Sequence, residues 1–74
     1  MENKIYTRIK ELRKEKKLSQ DEIAKEFNMH RTQYVRYEKS ESTVPLEFVE
    51  MLADYYNVSI DYIAGRTDKR EINE

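Results

Sequence analysis

Two short helical patterns, residues 19–28 and 31–39, are separated only by Met29 and His30. This spacing constrains the chain more than any other feature. A link of about three residues sets two short helices across one another at roughly 90–120°. The crossing needs a small residue where the backbones meet, and Ala24 supplies it. It needs a left-handed backbone at the end of the first helix, which Asn28 tolerates. It also needs apolar side chains beneath, and Ile23, Phe27, Met29, Tyr34 and Tyr37 are so spaced.

The other segments read as helices of the same length class. Ile5, Ile9 and Leu12 recur at helical spacing, predicting a first helix over about 4–16. Ser19-Gln20-Asp21-Glu22 fits a capping box, with the Ser19 hydroxyl and the Glu22 carboxylate each satisfying an otherwise orphaned backbone N–H. Pro45 fits the first turn of a fourth helix, with Leu46, Val49, Leu52, Ala53 and Tyr56 as its apolar stripe. Asn57 repeats the stop signal of Asn28. Ser59 caps a short fifth helix holding Ile60 and Ile63, and Gly65 closes it. The expectation is one all-α domain over residues 1–68, a compact five-helix bundle, followed by a polar tail, 69–74. The stretch from Arg66 onward is expected to be frayed or a partner contact.

Seventy-four residues leave room for one domain, burying only about 60% of its unfolded surface. With no Cys and one His, disulfide staples and a structural metal site are not expected. No cofactor is expected either. No apolar run approaches about 20 residues, and the amino end lacks the apolar stretch of a secretory signal, so a cytoplasmic location away from the membrane follows. No paired-carboxylate pocket, Ser/His/Asp arrangement or phosphate-cradling Gly loop points to an enzyme. The net charge of −1 hides a division. Residues 1–40 hold 11 Lys/Arg against 7 Asp/Glu, a net of +4; residues 41–74 hold 3 against 8, a net of −5. A basic front half suits a phosphate-facing side.

The stretch LSQDEIAKEFNMHRTQYVRYE resembles the helix-turn-helix of the phage Cro and repressor superfamily, also called the xenobiotic-response-element family of bacterial regulators. The resemblance extends over roughly Ile5 to Asp68, and VSIDYIAGRTD resembles a frequent ending in that family. It implies a five-helix, lambda-repressor-like bundle and a DNA-binding regulator, a repressor in the leading reading. In a helix-turn-helix the second helix of the pair enters the major groove. With Tyr34 and Tyr37 inward, Thr32, Val35, Arg36 and Lys39 point outward, Gln33 lies on one flank and Arg31 in the first turn. Arg can bond guanine bidentately and Gln adenine; the Thr32 hydroxyl serves either base, and Val35 can pack on a thymine methyl. Arg31, Thr32, Gln33, Val35 and Arg36 are therefore the expected base readers. For Arg31 and Arg36 the rival role is phosphate contact; for Thr32 and Gln33 it is a plain polar surface.

The resemblance further implies that Gln20 contacts phosphate, helped by the positive helix end. It also implies that Arg13 pairs with Glu38, aiming the recognition helix and bringing Arg13 toward a phosphate. His30, Lys39, Ser40, Ser42 and Thr43 are further candidate phosphate contacts, against the bland reading of an ordinary polar turn and loop. His30 also stands where a cap belongs. Tyr34, Tyr37 and Tyr56 read as core; Tyr6, Tyr55 and Tyr62 as core edge or dimer surface. One such module makes few contacts, so a homodimer on two half-sites about 34 Å apart is expected, joined through helix five and the tail. The competing reading is an antitoxin or anti-repressor module whose main partner is a protein.

Overall fold

The structure, a computed structural model describing residues 4–72, has five helices: α1 (Ile5–Glu15), α2 (Gln20–Glu26), α3 (Arg31–Glu38), α4 (Leu46–Tyr56) and α5 (Ile60–Ile63). Residues 1–3 and 73–74, the outermost parts of the expected domain and tail, lie outside the described residues. No strand occurs among the described residues, and the architecture is the all-α five-helix one that the apolar spacing predicts.

Local chemistry sets each helix start. Ser19 and Glu22 form the full capping box: Glu22 N–H donates to the Ser19 hydroxyl at 3.0 Å, and Ser19 N–H donates to the Glu22 carboxylate at 2.9 Å. The Ser59 hydroxyl likewise accepts from Tyr62 N–H at 3.0 Å. Pro45 differs from expectation by one position. It precedes α4 instead of lying inside it, and its carbonyl accepts from Phe48 and Val49.

Helix ends follow a single rule. Lys17, Asn28, Ser40, Asn57 and Gly65 all have positive φ, and each stands just past a helix. In every case the next residue reaches back to a carbonyl of the last turn: Leu18 to Arg13, Met29 to Ala24, Glu41 to Arg36, Val58 to Ala53 and Arg66 to Asp61. This is the Schellman stop, which satisfies orphaned carbonyls and reverses the chain in few residues. Glycine suits the left-handed position best, yet this chain has only one. Gly65 holds it where a side chain would be least tolerated: a Cβ there would meet the Lys4 Cβ at 2.8 Å.

The core gathers Ile9 and Leu12 of α1, Ile23 and Ala24 of α2, Tyr34 and Tyr37 of α3, five residues of α4, and Val58, Tyr62 and Ile63. On α4 the buried residues are Phe48, Val49, Leu52, Ala53 and Tyr56, whereas Leu46 is 66% exposed. The expected stripe is corrected at both places. Leu46 lies about a quarter-turn off the stripe's centre, in the first turn, while Phe48 falls on its other edge. Phe48 meets Phe27 edge-on at 5.4 Å and Tyr37 at 5.1 Å, so it roofs the α2–α3 crossing. Ile63 is fully buried, but Ile60 is 41% exposed.

Of the two expectations for the segment after Gly65, the frayed one is corrected where the segment is described. It is not frayed: Asp68 and Arg70 bind side chains of α1, and the Arg70 carbonyl accepts from Ser59 N–H at 2.8 Å.

Replacing Lys17 by Gly relieves a left-handed lysine, partly offset by the greater freedom of the unfolded chain. Lys17→Gly is expected to stabilise the fold by about 0.5–1 kcal/mol, and Gly65→Ala to destabilise it. Urea unfolding of both variants checks this; a destabilised Lys17→Gly would contradict the account of the helix stops.

Candidate nucleic-acid interface

The site is built on the α2–α3 crossing. Ala24 is 1% exposed at the crossing and Ile23 is fully buried, with half-buried Phe27 and Met29 packed against the same core. Tyr34 and Tyr37, three residues apart, turn one side of α3 inward. The opposite side is thereby fixed outward. Arg31, Thr32, Arg36 and Lys39 are exposed, and Gln33 and Val35 are half-buried on the flanks. Of the five expected base readers, Arg31, Thr32 and Arg36 thus lie on the solvent side of one helix, and Gln33 and Val35 border it half-buried. His30 occupies the position before α3, exposed and without a side-chain cap bond, so the cap expected of it does not form.

Behind this helix lies a polar cluster. Arg13 of α1 donates to Glu38 twice, from Nε to Oε2 at 2.7 Å and from Nη2 to Oε1 at 3.2 Å. The third bond, from Nη1 to the Leu18 carbonyl at 2.7 Å, ties the same guanidinium to the α1–α2 link. Both partners are withdrawn from solvent, with side chains 11% and 3% exposed. Gln20, the first residue of α2, donates from Nε2 to Glu38 Oε1 at 3.1 Å, and its carbonyl oxygen lies 3.5 Å from Arg31 Nη2. The buried end of α3 is therefore bonded to α1 and to the start of α2.

This placement bears on two expected phosphate contacts. Arg13 has little guanidinium left in solvent, so its geometry suits holding Glu38 more than reaching a phosphate. Gln20 is half-buried, with one N–H committed to Glu38. Around the turn after α3, Lys39, Ser40 and Thr43 are exposed and Ser42 is half-buried, and the Ser40 hydroxyl donates to the Lys39 carbonyl at 2.6 Å. Lys16 stands apart from these residues, its ammonium 5.1 Å over the Tyr55 ring.

The electrostatics agree with the bonding. Burial pushes the Glu38 carboxyl up, but the hydrogen bonds from Arg13 and Gln20, with the nearby Tyr34 hydroxyl, outweigh it and leave its pKa below the ordinary value. The hydrogen bond to Glu38 raises Arg13 in turn, against the opposing effect of burial. Burial first, and the Glu38 charge second, push the Tyr34 hydroxyl upward. That hydroxyl feels the carboxylate but makes no well-formed hydrogen bond, and neither does the buried Tyr56 hydroxyl.

Among the described residues no group of three or more His, Cys, Asp or Glu side chains could hold a metal ion, and no helix is long and apolar enough to cross a membrane.

Comparison with known proteins places this geometry. The family model for the helix-turn-helix matches residues 9–63. The chain belongs to the Cro/C1-type helix-turn-helix family. It is similar to a protein of Bacillus subtilis (strain 168) named as an uncharacterized HTH-type transcriptional regulator, YobD: 38% identical over 61 residues, covering 82% of this chain and 54% of that protein. It is also similar to the cryptic phage CTXphi transcriptional repressor RstR of Vibrio cholerae: 39% identical over 54 residues, covering 73% of this chain and 49% of that protein. The chain thus spans about half the length of these relatives.

The Glu38 pair has a definite acid signature. With its folded pKa depressed, Glu38 contributes fully above the ordinary Glu range, near about pH 4.3. As pH falls, the unfolded chain takes up the proton first, and the contribution is lost by the time folded Glu38 protonates. Glu38→Gln leaves Arg13 without its anion and is expected to cost about 2–3 kcal/mol at neutral pH. It should also flatten the decline in stability between about pH 5 and pH 3. Urea melts across that range test it: an acid decline as steep as that of the unaltered protein would rule Glu38 out as a contributor.

Proposed function

We propose that this chain is a sequence-specific double-stranded DNA-binding regulator, a repressor, that reads the major groove with α3. One observation carries the reading: a side of α3 that the buried tyrosines force outward bears Arg31, Thr32 and Arg36, with half-buried Gln33 and Val35 at its edges. Arg31 and Arg36 supply bidentate donors for guanine, Gln33 a bidentate partner for adenine, Thr32 a hydroxyl for either, and Val35 an apolar contact for a thymine methyl. Gln20, His30, Lys39, Ser40, Ser42 and Thr43 ring that side and supply phosphate contacts, with Arg13 acting chiefly through Glu38. Phosphate contacts fix position and base contacts fix sequence, and a helix-turn-helix combines both.

The proposed working form is a homodimer in the cytoplasm, on two half-sites about 34 Å apart. Its surface is α5 with the groove beside it, where partly exposed Ile60 and Ile72 adjoin Ala53 and Val58. No catalytic activity and no cofactor are part of this reading. A second reading, an antitoxin or anti-repressor module with a protein as main partner, draws on the same apolar groove and on exposed Leu46 and Met51. The outward Arg31 and Arg36, with Gln33 at their flank, favour the first.

Arg31→Ala is expected to cost about 1–3 kcal/mol of affinity for the selected site and to relax preference at one base pair. Selection from a random duplex pool supplies the site, and fluorescence anisotropy on that site and on random duplex gives the two affinities. Equal losses on both would assign Arg31 to phosphate.

A further inference from the structure

The helix that holds the Arg13 clamp carries no negative charge in its own first turn. Before α1 stands Lys4, whose side chain makes no cap bond. Helix starts favour negative charge, and an 11-residue helix without it is marginal alone. A carboxylate from a distant position in the chain binds the side chains there. Asp68 Oδ1 accepts from Arg8 Nη2 at 2.6 Å and lies 3.9 Å from the Lys4 ammonium. Arg8 also donates from Nη1 to the Tyr62 carbonyl at 2.6 Å and to the Thr67 carbonyl.

At the other end of α1, Arg70 makes a two-bond pair with Glu15, one of them from Nη1 to Oε1 at 2.7 Å. Between these two grips, the guanidinium carbons of Arg8 and Arg70 lie 4.1 Å and 5.1 Å from the Tyr62 ring centroid. Residues 66–70 therefore run along α1 and bind both its ends. Their attachment is polar throughout. No residue from 66 to 72 is in the buried core, Asp68 is 85% exposed in its side chain, and the segment begins at left-handed Gly65.

We propose that residues 66–70 are a detachable splint on α1, and that its docking keeps the Arg13 grip on α3 in place. Glu15 stands two residues beyond Arg13 on the same helix, so release of Arg70 frees the turn that carries the clamp. The segment opens without unpacking the core, because the core owes it no side chain. Opening at the other end leaves Arg8, 8% exposed, without its carboxylate partner. High salt or a competing acidic segment would therefore loosen the reading helix from a distance. That consequence for DNA rests on the groove-reading proposal; the splint itself does not, so it is tested first on the free protein.

The test is native-state amide hydrogen exchange of the full chain. Arg70→Glu is expected to speed exchange at Leu12, Arg13, Tyr62 and Ile63 at least about tenfold more than at Ile23 and Ala24, as local opening does. The exchanged pair Glu15→Arg with Arg70→Glu should restore most of the protection. Uniform acceleration across all helices, no acceleration, or failure of the exchanged pair to restore it would each overturn the splint. If Arg70→Glu does not fold, the unaltered protein between about 0.05 M and about 0.5 M salt serves instead. Faster exchange in α1, α5 and the last turn of α3 beside an unchanged α2 supports the splint and its hold on α3; exchange confined to α1 and α5 supports the docking and overturns the hold on α3; a salt-independent pattern overturns both. On the selected duplex, Arg70→Glu is expected to lower affinity several-fold; unchanged affinity beside selectively faster exchange would overturn the link to α3 and leave the splint standing.

Discussion

The pairing of Arg13 with Glu38 is the constraint on which the rest of this structure depends. An eight-residue helix such as α3 does not hold its direction in water unaided. Its two inward tyrosines give it a floor, but a floor leaves it free to rock. The two-bond pair to α1, with the Gln20 bond to the same carboxylate, adds fixed points at its carboxyl end. A withdrawn ion pair of this kind recovers little net stability, because both charges lose water. Its worth lies in orientation: a rigid fork accepts one arrangement of the carboxylate and resists rotation of the helix that bears it.

From that fixed direction follows the division of the surface. The tyrosines and the bonded Glu38 consume the inner side of α3, so Arg31, Thr32 and Arg36 are left on the outer side. The chain places its excess of positive charge in the first forty residues, which build α1, α2 and α3, and its excess of negative charge in the part that builds α4, α5 and the segment beyond. A nearly neutral molecule thereby keeps a basic front, suited to phosphate, without a net charge that would draw it to every polyanion.

Much of the fold is legible in the residues because it is written in local chemistry. The capping box at Ser19, the stops at Asn28, Asn57 and Gly65, and the inward pair Tyr34 and Tyr37 each involve groups within a few positions of one another. The stops at Lys17 and Ser40 use the same backbone geometry but carry no favourable side chain, so composition gives no sign of them. Leu46 misleads because apolarity alone does not say which residue of a first turn has anything beneath it; Phe48 is drawn inward by Phe27 and Tyr37, contacts that no periodicity encodes. Of the candidate site, the outward side of α3 could be read from helical spacing. The bond from Gln20 to Glu38 could not, since a polar residue in a first helical turn looks the same whether it faces a phosphate or a carboxylate 18 positions away. The attachment of Asp68 and Arg70 to α1 escapes for the same reason, spanning 60 and 55 positions in a charged stretch with no pattern.

Those long spans have a consequence for the order in which the molecule folds. The helix junctions reverse the chain within a few residues, and domains dominated by such near-neighbour contacts fold in about microseconds to milliseconds. The pairs that fasten Asp68 to Arg8 and Arg70 to Glu15 close loops of 60 and 55 positions, so they cost more chain entropy than any junction. They can form only on an α1 that the core already holds, which makes the fastening of residues 66–70 the natural final step of refolding and the first contact to be lost on the way out.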